Sequence, residues 1–127
     1  MVSMVRIKEM PQQSEADLKV YELQAEICQT LANPKRLQIV HLLKNGELSV
    51  GEMVRAMGVP KANASQHLSL MRQKGLIIAR REGTTIFYRL ASPRITEACA
   101  IMREVLLTVL AGQETLSRNI RGAGEMQ

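Results

Sequence analysis

The chain has 127 residues, which favours a single domain and excludes the larger doubly wound and TIM-barrel enzymes. Aromatic residues make up only 2% of it, so the core must be built from aliphatic residues and methionine, a composition that favours helices over an all-β sandwich. The net charge is +5, and the segment from Lys61 to Arg89 accounts for all of it, with six basic residues against the single acid Glu82. Such local positive charge is typical of a nucleic-acid surface, and a solvated basic face is the alternative.

The N-terminal segment does not resemble a targeting signal. Residues 1–10 carry Arg6, Lys8 and Glu9 and lack the apolar run of a signal peptide. No stretch of the sequence approaches the roughly 20 apolar residues of a membrane span. We therefore expect a cytoplasmic protein that has no membrane partner and keeps its two cysteines reduced.

The first two elements in chain order are predicted to be helices. Ser14 is a good N-cap residue, and the acids Glu15 and Asp17 follow it in the first turn. The helix that it begins is apolar on two faces, as at a dimer seam. Asn33-Pro34 begins a second helix, because asparagine caps well and proline suits the first helical position, and Gly46 ends it.

Two shorter helices follow. Ser49 and Glu52 have the spacing of a capping box, and the third helix that they begin ends near Gly58. A fourth helix begins at Pro60 or a neighbouring residue and runs to Lys74, with Gly75 as its C-terminal stop. Two short helices joined by a tight turn are typical of a helix-turn-helix.

The hydrophobic period then changes from helical to alternating. Residues 76–81 alternate, Glu82–Thr84 form a turn, and Thr85–Leu90 alternate again, which predicts a β-hairpin. Ser92-Pro93 begins a last long helix with an apolar stripe. The sequence therefore predicts a helix-rich α+β winged helix-turn-helix with five helices and a hairpin wing. We expect a flexible leader over 1–13, a DNA-binding and dimerisation domain over 14–118, and a flexible tail over 119–127.

The fourth helix has the features of a DNA-recognition helix. Its N-terminal part is small and polar, where such a helix must approach the major groove. Asn63 and Gln66 can donate and accept at an adenine edge, whereas Lys61 and Ser65 suit phosphates. The hairpin tip offers basic and hydroxyl side chains to the backbone or the minor groove. The complete predicted DNA-binding set is Lys61, Asn63, Ser65, Gln66, His67, Arg72, Arg80, Arg81 and Thr84.

Four segments together carry a family resemblance: LANPKRLQIVHLL, GELSVGEM, ASQHLSLMRQKGLI and RREGTTIFYRL. They resemble the ArsR/SmtB family of bacterial winged-helix repressors from about Ile27 to Leu90, and more loosely through the last helix. The resemblance implies a homodimer whose first and last helices form the interface. It also implies repression of a small operon through an imperfect palindromic operator in double-stranded DNA, with release by a chemical inducer.

The inducer site of the family is where this sequence departs. Residues 48–52 contain no thiol and residues 93–109 contain no aspartate or histidine, so neither of the metal sites known in the family can be placed. A four-ligand zinc site would need both cysteines and both histidines, and the resemblance assigns His67 to the recognition helix. We therefore expect neither a metal nor another cofactor.

Cys28 and Cys99 lie on apolar stripes of the first and last helices, which pack together in the family. One interpretation is a switch in which a disulfide or polysulfide bridge between them releases DNA. A second is an arsenite or soft-metal site that uses the same thiols. The third is that both cysteines are small core residues, in a regulator that has no inducer.

An enzyme is the least supported class, because the sequence contains no HExxH, GxSxG, GxGxxG or P-loop motif. A winged helix that binds another protein is the competing class. It predicts binding that is insensitive to salt and independent of Lys61, Asn63 and Gln66.

Overall fold

A computed structural model describes residues 11–125, and this part of the chain contains five α-helices and three strands. Residues 1–10 of the predicted leader and the last two residues of the predicted tail lie outside it. The helices are α1 (Glu15–Leu31), α2 (Pro34–Leu42), α3 (Val50–Met57), α4 (Lys61–Gln73) and α5 (Arg94–Glu125). The strands are β1 (Leu48–Ser49), β2 (Ile77–Glu82) and β3 (Thr85–Leu90), and a 3-10 turn over Leu43–Asn45 follows α2.

Side-chain caps begin the first three helices, as predicted. The Ser14 hydroxyl accepts from the Asp17 N–H at 3.2 Å and the Asp17 carboxylate accepts from the Ser14 N–H at 3.0 Å, which completes a capping box. Asn33 Oδ1 accepts from two N–H groups of the first turn of α2. Ser49 Oγ accepts from the Glu52 N–H at 3.1 Å, which is the forward half of the predicted box. These bonds satisfy N–H groups that the helices leave without partners.

The predicted hairpin is present and belongs to a three-stranded antiparallel sheet of order β1-β3-β2. Ile77 lies opposite Leu90 and Glu82 opposite Thr85, and Gly83 takes the left-handed φ of +63° that the turn requires. Strand β1 adds two residues to the edge of β3, with Leu48 opposite Tyr88. The sequence did not predict β1, because two residues are too short to show an alternating pattern.

The core lies between α2, α3, α4 and the sheet, and it is aliphatic and methionine-rich as the composition predicts. It holds the helix-turn-helix and the wing in one fixed arrangement. Its buried hydrophobic residues include Ile39, Val40, Leu43, Met53, Met57, Leu68, Met71, Leu76, Ile77, Tyr88 and Leu90.

The two terminal helices are largely exposed in the single chain. In α1 the only buried residue is Thr30, and in α5 the first turns pack on the core through Ile95 and Cys99. Helix α5 continues to Glu125, into the region that was expected to be a tail. The large apolar residues exposed on these two helices are Leu18, Val20, Tyr21, Leu23, Ile27, Ile101, Met102, Val105, Leu106, Leu107, Val109, Leu110, Leu116 and Ile120. A surface of this kind is typical of a protein–protein interface. None of the described helices has the length and hydropathy of a membrane span.

Candidate DNA-binding surface

A tight turn joins α3 to α4 and orients the two helices. Helix α3 ends at Gly58, which takes a left-handed φ of +65° and donates its N–H to the Val54 carbonyl at 2.9 Å. Pro60 then precedes α4 with an extended backbone. Met53 and Met57 of α3 are buried in the same core as Leu68 of α4. The inner face of α4 is thus fixed, and its outer face is directed away from the core.

The outer face of α4 carries the residues predicted to read DNA. The buried residues Ala64, Leu68 and Met71 are three and four positions apart and therefore share one side of the helix. At about 100° per residue, Gln66 lies on the opposite side. Asn63 and Ser65 lie on the two flanks of the helix and are also exposed. The three polar side chains are thus accessible along one exposed surface.

The N-terminus of α4 differs from those of the preceding helices. Among the side chains that the structure describes, none caps its first turn, and that turn contains no acidic residue. The N–H groups of the first turn of a helix carry partial positive charge and bind phosphate well. Lys61, exposed at the first position, adds a full charge there. This end of α4 is therefore suited to an anionic ligand.

His67 lies half-buried on the flank of α4 and has a partner within the protein. Arg36 of α2 donates from Nε to His67 Nδ1 at 3.2 Å, and from Nη1 to the Thr30 carbonyl at 3.0 Å. Burial lowers the pKa of His67, and the positive charges of Arg36 and Lys35 lower it further. The imidazole is therefore held neutral, with Nδ1 as the acceptor. Sequence reasoning predicted His67 as a DNA contact and missed Arg36, which is 31 positions away.

Arg80 of the wing is engaged by two carboxylates. Its guanidinium donates to both oxygens of Glu47, at 3.0 and 2.6 Å, and to Glu82 at 2.9 Å. It also lies 4.7 Å from the centre of the Phe87 ring. The hydrogen bond from Arg80 lowers the pKa of Glu47, and the two carboxylates raise the pKa of Arg80. The charge of Arg80 is therefore offset, and the side chain ties the wing to the loop before β1.

Arg81, the next residue, is arranged differently. Its Nε donates to the Gly83 carbonyl at 3.2 Å, so the exposed side chain lies along the hairpin turn beside Thr84. Among the side chains that the structure describes, no carboxylate forms an ion pair with Arg81, Arg72 or Lys61. These three cations remain available to an anion. Every residue of the predicted set except the half-buried His67 is exposed. Among the described side chains, Arg80 and His67 are the two members of the set that have a charged partner.

The two cysteines occupy different environments. Cys28 is exposed on α1, whereas Cys99 is half-buried on α5 and packs against the core. Both are free thiols, and burial raises the pKa of Cys99, which lowers its thiolate fraction at neutral pH. In the part of the chain that the structure describes, no three His, Cys, Asp or Glu side chains are grouped as metal ligands.

Comparison with known sequences gives a family match over the helix-turn-helix. Residues 33–79 match the family described as "Bacterial regulatory protein, arsR family". The uncharacterized HTH-type transcriptional regulator Rv0081 of Mycobacterium tuberculosis is 38% identical over 106 residues, which cover 83% of this chain and 93% of the relative. The biofilm growth-associated repressor of Xylella fastidiosa (strain Temecula1) is 31% identical over 115 residues, which cover 90% of this chain and 97% of that protein.

Solved structures agree with the sequence matches. The crystal structure of Rv0081 superposes with a TM-score of 0.67 at 40% identity, and covers 74% of this chain and 95% of that one. A solution structure from Mycobacterium bovis superposes with a TM-score of 0.69 at 35% identity, and covers 80% of this chain and 94% of that one. That protein is described as a homodimeric winged helix-turn-helix DNA-binding domain and a possible ArsR-family regulator.

Proposed function

The chain belongs to the ArsR family of bacterial transcriptional regulators and is not an enzyme, and from this premise we propose that it represses transcription in the cytoplasm. It does so as a homodimer that binds an imperfect palindromic operator in double-stranded DNA. The observation that carries the proposal is the exposed polar face of α4 with its uncapped, acid-free N-terminus. A relative described as a repressor supports the direction of regulation.

Base recognition is assigned to the outer face of α4. Gln66 and Asn63 each offer a donor and an acceptor, which is the pair that an adenine edge requires in the major groove. Lys61, Ser65 and the first-turn N–H groups of α4 are suited to phosphate, and so are Arg72 and the wing residues Arg81 and Thr84. Helix α4 would thus supply sequence specificity, and the surrounding cations would supply affinity.

The dimer is assigned to α1 and α5. Both helices expose long apolar faces that the single chain does not cover. The M. bovis neighbour, which shares the fold, is described as homodimeric. A two-fold dimer reads a palindrome when its two recognition helices lie about one DNA turn apart, roughly 34–36 Å. The domain over residues 14–118 would then serve both DNA binding and dimerisation.

Thiol chemistry at Cys28 and Cys99 is proposed as the releasing signal. The supporting observation is that both thiols are free and lie on the two helices assigned to the dimer, with Cys28 accessible. A polysulfide would take two electrons from the pair, the thiols would lose two protons, and a sulfur bridge would form while the polysulfide is reduced to sulfide. Arsenite bound by the same thiolates is the alternative signal.

One titration tests both the repressor and the thiol sensor. Fluorescent duplexes from the promoter of the protein's own operon are titrated with reduced wild type and followed by anisotropy, before and after treatment with polysulfide or arsenite. Cys28→Ser and Cys99→Ser are the controls. Tight, salt-dependent binding that treatment abolishes only in the wild type supports a thiol-sensing repressor. Binding indifferent to both treatments overturns the sensor, and binding to no duplex overturns the repressor.

A further inference from the structure

A chain of hydrogen bonds joins the C-terminal end of α1 to the recognition helix. The Arg36 guanidinium donates to the Thr30 carbonyl of α1 at 3.0 Å and to His67 Nδ1 of α4 at 3.2 Å. Thr30 is itself buried, and its hydroxyl donates to the Glu26 carbonyl at 2.8 Å. One arginine of α2 thus contacts the helix assigned to the dimer and the helix assigned to the operator.

We propose that this Arg36–His67 bridge sets the orientation of α4, and that His67 is a positioning residue of the operator-binding surface and not a DNA contact. The inference rests on the proposed DNA-binding function. His67 projects from the flank of α4 towards α2, about 100° around the helix from Gln66. Its Nδ1 is occupied as the acceptor of the Arg36 bond, so only the Nε2–H of the ring is left for another partner.

The bridge requires a neutral imidazole. Protonation of Nδ1 would replace the acceptor by a donor that faces the Arg36 cation. Lys35, also on α2, adds a second positive charge near His67. Burial is the largest cause of the lowered pKa of His67, and the charges of Arg36 and Lys35 lower it further. On the neighbouring surface, Glu26 of α1 pairs with Lys74, the residue that follows α4, at 4.0 Å, so this carboxylate has its own cation. The bridge is therefore intact at neutral pH and opens in acid.

The direction of the pH effect distinguishes the two roles of His67. The pKa of His67 is lowered in the folded protein, so the bridge is complete above the ordinary value of about 6.5 and is lost as the pH falls through the lowered pKa. A positioning residue therefore makes operator binding weaker in acid. A histidine that touches phosphate would gain charge on protonation and make binding stronger in acid.

The test compares His67→Asn, His67→Ala and Arg36→Met with the wild type, on the tightest-binding promoter duplex between pH 7.5 and 5.5 at constant salt. His41→Asn, on the exposed second histidine, is the matched control.

The expected results differ between the variants. Asparagine keeps an acceptor near the position of Nδ1 and does not titrate, so we expect His67→Asn to bind as the wild type does at pH 7.5 and to keep the same operator affinity in acid. Alanine should lose about tenfold in operator affinity, as expected for a hydrogen bond to a charged group. The wild type should bind more weakly as the pH falls and His67 becomes protonated. Wild-type binding that tightens in acid relative to His67→Asn overturns the proposal.

A second measurement does not depend on DNA. Nitrogen and carbon NMR shifts of the His67 ring in the free protein report its tautomer and its titration. The bridge predicts the Nε2–H tautomer, and in Arg36→Met an upward shift of the titration. An Nδ1–H tautomer, or a titration unchanged in Arg36→Met, refutes the bridge even if operator binding is normal. Failure of the wild type to bind any duplex at pH 7.5 would instead refute the proposed function.

Discussion

The neighbouring wing residues Arg80 and Arg81 are expected to affect DNA binding in different ways. Arg80 is held by Glu47 and Glu82, whereas the Arg81 side chain donates to the Gly83 carbonyl and pairs with no carboxylate among the described side chains. A phosphate would have to displace two carboxylates from Arg80, but it can bind Arg81 without breaking an ion pair. Arg81 is therefore the arginine that we expect to contact phosphate.

The size of the effect follows from counterion release. Each phosphate contact contributes about 0.9 to the slope of log K against log salt, and a homodimer has two wings, so Arg81→Gln should flatten the slope by about 1.8. Between 50 and 200 mM salt, the affinity of the wild type should then fall about 12-fold further than that of the variant. Anisotropy titrations at four or five salt concentrations measure this difference directly.

The matched control is the double variant Arg80→Gln/Glu47→Gln. Arg80, Glu47 and Glu82 together carry a net charge of −1, and the double variant keeps that value because only Glu82 remains charged. Its salt slope should equal that of the wild type, while its thermal stability falls because the wing loses its tie to β1. If the double variant flattens the slope and Arg81→Gln does not, Arg80 is the phosphate contact and the argument from ion pairing is wrong.

Three further predictions concern base reading, the dimer and a helix cap. Gln66→Ala should cost about 1–3 kcal/mol in operator binding and relax discrimination among operator variants, since it removes a base-edge contact; an unchanged preference in competition titrations would contradict that role. Leu106→Glu places a charge on the apolar face of α5, where the native side chain is 53% exposed, and sedimentation velocity should show a monomer because burial of an unpaired charge is costly. A dimer of wild-type mass would place the interface elsewhere. Ser49→Ala removes the cap of α3 and should cost about 1 kcal/mol, roughly 3–6 °C in melting temperature. A melting temperature equal to the wild type would show that the cap contributes nothing.

The boundaries of the helices were predictable because the signals that set them are local. Ser14, Asn33 and Ser49 cap the helices that they precede, and each bond reaches at most three residues along the chain. Gly58 and Gly83 take left-handed conformations at the turns where the sequence predicted them. The length of α5 was not predictable in this way, since its apolar stripe fades after Leu110 although the helix continues to Glu125.

The roles of the individual side chains in the site were less predictable than their positions. Arg80 and Arg81 are adjacent and chemically identical, and the difference between them comes from Glu47, which is 33 positions away from Arg80. The partner of His67 is 31 positions away. Such pairs depend on how β1 meets the sheet and how α2 crosses α4, which no local pattern specifies. A cluster of positive charge in the sequence therefore predicts a surface well and its individual contacts poorly.

The last turn of α1 connects the proposed dimer interface to the proposed DNA-binding surface. A palindrome is read only if both copies of α4 keep one spacing and one orientation relative to the two-fold axis, which α1 and α5 would define in the proposed dimer. Helix α1 packs on α2, and Arg36 of α2 bonds to the last turn of α1 and to α4. A rotation of α1 in the dimer therefore strains the same bridge that holds α4. Cys28 lies two residues before Thr30, so chemistry at this thiol acts within one turn of the bridge. A coupling of a few kcal/mol between the two sites would suffice to release the operator.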